Sequence, residues 1–123
     1  MTLDIETYSD ADFFQRFVYQ TSGGVPIDLG TDVLRMMVRS HPSDATAHIE
    51  RSSLPYGGIT ITDTAGGAFA LAIPVALLAT LQPGVYSHSL IKTDATFTSR
   101  KDIWRGTLTH RVGPTRWKTG TFV

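Results

Sequence analysis

The sequence predicts an all-β fold: a two-sheet sandwich of about seven strands with one short helical connector at residues 74–81. The composition supports this, since 17 Thr stand against only 3 Lys and 2 Glu. Branched and aromatic side chains fit a pleated surface, whereas Lys and Glu usually fill exposed helix faces. In addition, short apolar stretches recur roughly every ten residues, with turn residues between them.

Alternation and turn residues place the individual strands. The predicted strands are 12–20, 33–39, 47–51, 59–62, 68–73, 85–92 and 100–112, with a short extended piece at 27–29. The pattern is clearest at 33–39, where Leu34, Met36 and Val38 alternate with two arginines and a methionine. A period of two is typical of a half-buried strand.

The first predicted strand has aromatic side chains on both faces. Phe13 and Phe17 point one way, and Phe14 points the other way. A sandwich strand turns only one face to the core. We therefore expect one face of this strand to meet something outside the domain.

Several connectors have a specific predicted role. Pro74 follows the strand that ends at Ile73 and suits the first position of a short helix. Asp28 is expected to cap its own turn through its side chain. The hydroxyl of Tyr86 is expected to anchor the corner after Pro83-Gly84 by bonding to the backbone.

The domain organisation is simple. Gly113-Pro114 ends the packed body, so we expect one domain at 1–114 and a C-terminal tail at 115–123, either extended or docked on a partner. Residues 1–12 contain four acids and no base, whereas residues 100–118 contain six bases and one acid. These oppositely charged segments are expected to attract each other, within the domain or between copies.

Composition narrows the class of protein. The absence of Cys excludes disulfides, thiolate catalysis and sulfur-based zinc sites. A formal net charge of zero argues against general nucleic-acid binding. The acidic start lacks the features of a secretory signal, and the longest apolar stretch, 68–81, is too short to span a bilayer. We expect no nucleic-acid or membrane partner.

The histidines give weak signals for metal or catalytic chemistry. His41 and His48 flank Asp44, but this spacing fits a solvated loop better than a ligand set, so no metal site is predicted. His88 is expected to be a hydrogen-bonded core histidine, and His110, near the end of a basic strand, is expected to be exposed.

No catalytic motif is present. Ser87, His88 and Ser89 are neighbours on a strand, where adjacent side chains point to opposite faces, so they do not form a dyad by adjacency. There is no Gly-x-Ser-x-Gly, and the Gly pairs lack the following Lys-Ser/Thr of a phosphate loop. We predict no catalytic residues, no cofactor and no enzymatic activity.

Aromatic and basic residues are the best candidates for binding a partner. Trp104 is expected to be a core residue. An exposed tryptophan in a tail is unusual for a lone monomer, so the tail is expected either to dock on a partner or to be disordered. The predicted interface residues are Phe14, Arg116, Trp117, Lys118 and Phe122.

Six phrases in order carry a resemblance to one family. They are 24–30 (GVPIDLG), 34–39 (LRMMVR), 58–63 (GITITD), 67–74 (GAFALAIP), 81–86 (LQPGVY) and 104–109 (WRGTLT). In this order the chain resembles small immunoglobulin-like tail or baseplate proteins of tailed phages and prophages, over about residues 12–112. The family often has an acid where this chain has Ser87 to Ser89, and the tail matches no known pattern.

This resemblance implies a non-catalytic structural module of a phage or prophage tail. Such a module binds other tail or baseplate subunits through sheet edges and termini, and we expect a homo-oligomer. Its location is then the virion, or the host cytoplasm during assembly. The alternative is a carbohydrate- or receptor-binding sandwich that uses Tyr56, Trp104 or Trp117 as a platform.

Overall fold

A computed structural model describes residues 2–94, 96, 98–114, 117–118 and 121–122, with the last four described by their backbone alone. The described chain contains ten strands and one short helix. They are β1 (Ile5–Tyr8), β2 (Phe13–Val18), β3 (Val33–Arg39), β4 (Ile49–Ser52), β5 (Ile59–Asp63), β6 (Ala68–Ile73), α1 (Val75–Leu78), β7 (Gly84–Thr93), β8 (Arg100–Arg111), β9 (Trp117–Lys118) and β10 (Thr121–Phe122).

The strands form the two facing sheets that the sequence predicts. The larger sheet has five strands in the order β1-β8-β7-β3-β4, and the smaller has three in the order β2-β6-β5. β9 and β10 pair separately as a small antiparallel hairpin in the tail region. The predicted all-β sandwich with one short helical connector is confirmed, and all seven predicted strands are present as β2 to β8.

The sequence did not predict strand β1. It runs parallel to β8, with Ile5 opposite Leu108 and Tyr8 opposite Arg111. Ile5 and Thr7 are buried while Glu6 and Tyr8 are exposed, so β1 does alternate. The segment is only four residues long and contains a charged residue, and its partner lies about a hundred residues away. Its local sequence is therefore too weak a signal to predict a strand.

The core lies between the sheets and is closed by aromatic contacts. Phe17 from β2 and Phe69 from β6 face Trp104 from β8, with ring centroids 4.6 Å apart for Phe17–Trp104 and 5.8 Å apart for Phe69–Trp104. Trp104 is only 2% exposed, as expected of a core residue. β8 contains a bulge between its pairings with Leu90 and Ile91, next to this tryptophan.

The connectors behave largely as predicted. Asp28 Oδ1 accepts a hydrogen bond from the Gly30 backbone N–H at 2.8 Å, and the Tyr86 hydroxyl donates to the Gln82 carbonyl oxygen at 2.6 Å. Helix α1 is shorter than expected, since it covers one turn after Pro74 and not about two. The side chain of Asp12 accepts a hydrogen bond from the Val75 N–H at 2.6 Å, which satisfies one free donor at the start of the helix.

No helix among the described residues is long and apolar enough to cross a membrane.

Candidate interaction surfaces

The structure places one of the five predicted interface side chains. Phe14 points away from the core on β2 and is 61% exposed. Trp117 and Lys118 lie on β9 and Phe122 on β10, where the backbone alone is described, and Arg116 lies outside the described residues. The expectation that β2 presents a second apolar face therefore concerns Phe14 and its neighbours.

The outer face of the small sheet is largely apolar. Val18 is 54% exposed on the same face as Phe14, and Arg16 lies between them with its guanidinium carbon 6.0 Å from the Phe14 ring centroid. Opposite these residues in register β6 carries only alanines, of which Ala68 and Ala72 are half-buried and Ala70 is buried. We call this surface the β2 face; its residues are Phe14, Arg16, Val18, Ala68, Ala70, Ala72 and Thr60.

β2 is also an edge strand. Within the described residues it pairs along its length with β6 alone, apart from a single bridge between Gln20 and Pro26 beyond its end. An edge strand offers backbone donors and acceptors to another strand. The β2 face and the edge of β2 thus adjoin each other.

The outer face of the large sheet contains a cleft that sequence patterning did not reveal. β3 contributes Arg35, Met37 and Arg39, and β8 contributes Arg105, while serines of β7 lie between them. The cleft has a volume of about 350 Å³. We call it the arginine cleft; its lining is completed by Pro42, Ser87, His88, Ser89, Ile91 and Gly106.

Polar contacts position Arg39 and Arg105 at the cleft. Arg105 Nε lies 2.5 Å from Asp102 Oδ2, in a pair that is well exposed. Arg39 donates to the Asp44 carbonyl oxygen at 3.1 Å and approaches the Met37 sulfur at 3.1 Å. These contacts hold the side chains at the two sides of the cleft and leave further N–H donors on each guanidinium, which has five.

The Ser87-His88-Ser89 segment divides between the two faces, as predicted. Ser87 and Ser89 lie on the outer face of the sheet and line the arginine cleft. The His88 side chain is buried on the inner face. Trp104 donates its indole N–H to His88 Nδ1 at 3.2 Å, and His88 Nε2 lies 3.1 Å from the Thr107 carbonyl oxygen. Because the indole only donates, His88 carries its proton on Nε2, and the prediction of a hydrogen-bonded core histidine is confirmed.

His110 is buried, and the expectation that it is exposed is wrong. It is 2% exposed, and its Nδ1 lies 2.9 Å from the Thr7 hydroxyl of β1. The residue shares the inward face of β8 with Leu108, and β1 covers the edge of the sheet beside it. Its Nε2 has no hydrogen-bond partner among the described residues.

Acidification is expected to destabilise the protein through these two histidines. Burial lowers the pKa of His88, although hydrogen bonds with backbone groups oppose the shift, and burial also lowers the pKa of His110. Between these lowered values and about 6.5 the unfolded chain binds more protons than the folded one. The free energy of unfolding should therefore fall as the pH drops below about 6.5, by up to about 1.4 kcal/mol per pH unit for each histidine.

Urea unfolding followed by circular dichroism between about pH 8 and pH 5 measures this dependence. His110→Gln should flatten the pH dependence, whereas the same change at exposed His41 is the control for the substitution itself. A free energy of unfolding that stays constant over this range would contradict the assignment.

The acidic start and the basic end of the chain meet inside the domain. Glu6 Oε1 lies 3.0 Å from Arg111 Nε across the β1–β8 pair. Asp4 Oδ1 accepts hydrogen bonds from the Thr107 N–H at 3.2 Å and its hydroxyl at 2.9 Å. These Thr107 bonds, the backbone one first, lower the pKa of Asp4. The attraction within one copy, one of the two arrangements that the charge pattern predicts, is therefore observed.

His41, Asp44 and His48, which the sequence spacing assigned to a solvated loop, have separate hydrogen-bond partners. His41 N–H donates to the Asp44 carboxylate at 3.0 Å, while His48 turns to Ser40 at 2.9 Å. Among the described residues no three His, Cys, Asp or Glu side chains lie together so as to hold a metal ion. As a carbohydrate platform Trp104 is excluded by its burial, whereas Tyr56 is fully exposed.

These features define the class of fold. Two facing sheets, a buried tryptophan and a tyrosine hydroxyl bonded to upstream backbone are those of an immunoglobulin-like β-sandwich. No family model matches the chain, and no curated protein matches it. Among solved structures it is similar to murine CRIg, with 18% identity and a TM-score of 0.41 over 88% of this chain and 92% of that one. A likeness at that level says nothing about a ligand or partner.

Proposed function

We propose that this chain is a non-catalytic assembly module of a phage or prophage tail, which binds neighbouring subunits, including further copies of itself, through the β2 face and the edge of β2. The observation that carries the proposal is the exposed pair Phe14 and Val18 beside a row of alanines. The resemblance of the six ordered phrases to those of tail and baseplate proteins supports the tail context.

The geometry of β2 suits association between copies. The alanine side chains of β6 are short, and Ala70 at the centre is already buried, so Phe14 and Val18 form the apolar surface against which a second sheet would pack. Alternatively, two β2 edges related by a twofold axis pair antiparallel and extend the sheet from three strands to six. Both arrangements remove Phe14 or its neighbours from water.

Loss of Phe14 is expected to weaken self-association. Burying a phenylalanine contributes about 1.5–3 kcal/mol, so Phe14→Ser should raise the dissociation constant about 10- to 100-fold. Val18→Thr should have a smaller effect in the same direction. Sedimentation equilibrium of the full chain over a range of concentrations measures the constant.

Val85 offers a matched control, since it is 64% exposed but lies on β7, away from the β2 face. Val85→Thr should leave the dissociation constant unchanged. A chain that stays strictly monomeric at high concentration, encoded outside any tail gene cluster, would contradict the proposed function.

A further inference from the structure

The arginine cleft follows directly from the lengths of the side chains on three neighbouring strands. On the outer face of the large sheet, Ser89 lies opposite Met37 on one side and Arg105 on the other, and Ser87 lies opposite Arg39. Strands in a sheet are about 4.8 Å apart, so β3 and β8 flank β7 at roughly 10 Å from each other. Short serines in the middle and long arginines at the sides make a groove.

The described side chains that line the cleft include bases and no acid. The bases are Arg35, Arg39 and Arg105. Four acids of the described chain lie around it: Asp102 pairs with Arg105, Asp44 accepts from Arg39 through its backbone, Asp4 binds Thr107 beside Ser87, and Glu50 is exposed on β4 opposite Met37. A bound anion would be attracted by the guanidinium groups of Arg39 and Arg105, and the Asp102 carboxylate offsets part of that attraction.

The other lining residues indicate which chemical groups of a ligand would lie beside its anionic group. Met37, Ile91 and Pro42 provide apolar contact, and Ser87 and Ser89 provide hydroxyl groups on the floor. Guanidinium groups match carboxylates with two parallel hydrogen bonds. The aliphatic part of a glutamate side chain would pack against Met37 and Ile91 beside these arginines.

We infer that the arginine cleft binds an acidic peptide segment, with glutamate or aspartate carboxylates held by Arg39 and Arg105 and the segment lying across the open face of β7. This inference names a partner chemistry for the assembly role proposed above and rests on that role only for the identity of the partner as a protein. The site is on the opposite sheet from the β2 face, so the two surfaces serve different contacts.

The test is a nuclear magnetic resonance titration of the ¹⁵N-labelled full chain with two short peptides, Ser-Glu-Leu-Glu-Ser and its uncharged counterpart Ser-Gln-Leu-Gln-Ser. Saturable shifts are expected at the amides of Met37, Ser87, Ser89 and Arg105 with the first peptide and not with the second. Arg39→Gln or Arg105→Gln should weaken binding by about tenfold, because each removes charge-assisted hydrogen bonds.

Arg100→Gln removes the same charge from an exposed position of the same strand, away from the cleft lining, and should leave the affinity within about twofold. Thermal unfolding of each variant separates lost binding from lost folding. The inference is overturned if neither peptide shifts these amides at about 10 mM, if Arg100→Gln weakens binding as much as Arg39→Gln, or if inorganic phosphate binds more tightly than the glutamate peptide. If the chain binds the glutamate peptide but Phe14→Ser leaves self-association unchanged, the inference about the cleft stands and the proposal about the β2 face fails.

Discussion

Replacement of Trp104 by alanine is expected to lower the free energy of unfolding by about 3–5 kcal/mol. The side chain lies between the sheets, in contact with Phe17 and Phe69 from the opposite layer. Its removal leaves a cavity between the sheets, which the surrounding structure fills only in part. Urea unfolding followed by circular dichroism gives the value.

Trp104→Phe separates packing from hydrogen bonding. Phenylalanine keeps much of the ring area but leaves His88 Nδ1 without the indole N–H that it accepts at 3.2 Å. An unsatisfied buried acceptor costs about 1–3 kcal/mol, so the phenylalanine variant should fall between the wild type and the alanine variant. A loss below about 1 kcal/mol for Trp104→Ala would show that the indole is not part of a packed core.

The second large effect is expected at Gly106. A Cβ at this position would overlap the carbonyl oxygen of Leu3, whose N–H donates to the Arg105 carbonyl oxygen at 2.8 Å. The obstacle is backbone, which yields less readily than the end of a flexible side chain. Gly106→Ala should therefore displace the segment that leads into β1 and cost about 1–3 kcal/mol.

Gly23 is the matched control for that substitution. A Cβ there meets only the Thr21 hydroxyl at an ordinary 3.8 Å, so Gly23→Ala should change stability little. Hydrogen exchange at Ile5 and Thr7 adds a local readout, because a displaced β1 loses protection before the rest of the sheet. If Gly106→Ala is as stable as the wild type and keeps that protection, the close approach of Leu3 is wrong.

Local pattern was enough to predict what each strand contributes to the core. The alternation at 33–39 places Leu34, Met36 and Val38 inside, and all three are buried. Asp28 and Tyr86 make the turn and corner bonds expected of their residue types. These features depend on residues close together in the sequence.

The sequence did not predict the features that depend on the register between distant strands. β1 becomes a strand only because β8 accepts it as a parallel neighbour. His110 was misjudged because the basic residues around it suggested exposure, whereas β1 buries it. The arginine cleft requires Arg39 and Arg105 to flank the same strand, which no single stretch of sequence shows.

The parallel pairing of β1 with β8 has a consequence for the protein during its synthesis. The ribosome delivers β1 first and its partner about a hundred residues later, an interval of about 5–20 s at typical elongation rates. Throughout that time an unpaired strand is exposed to other nascent chains. Asp4 and Glu6, which later bind Thr107 and Arg111, place negative charge on the waiting segment and disfavour its pairing with a second copy.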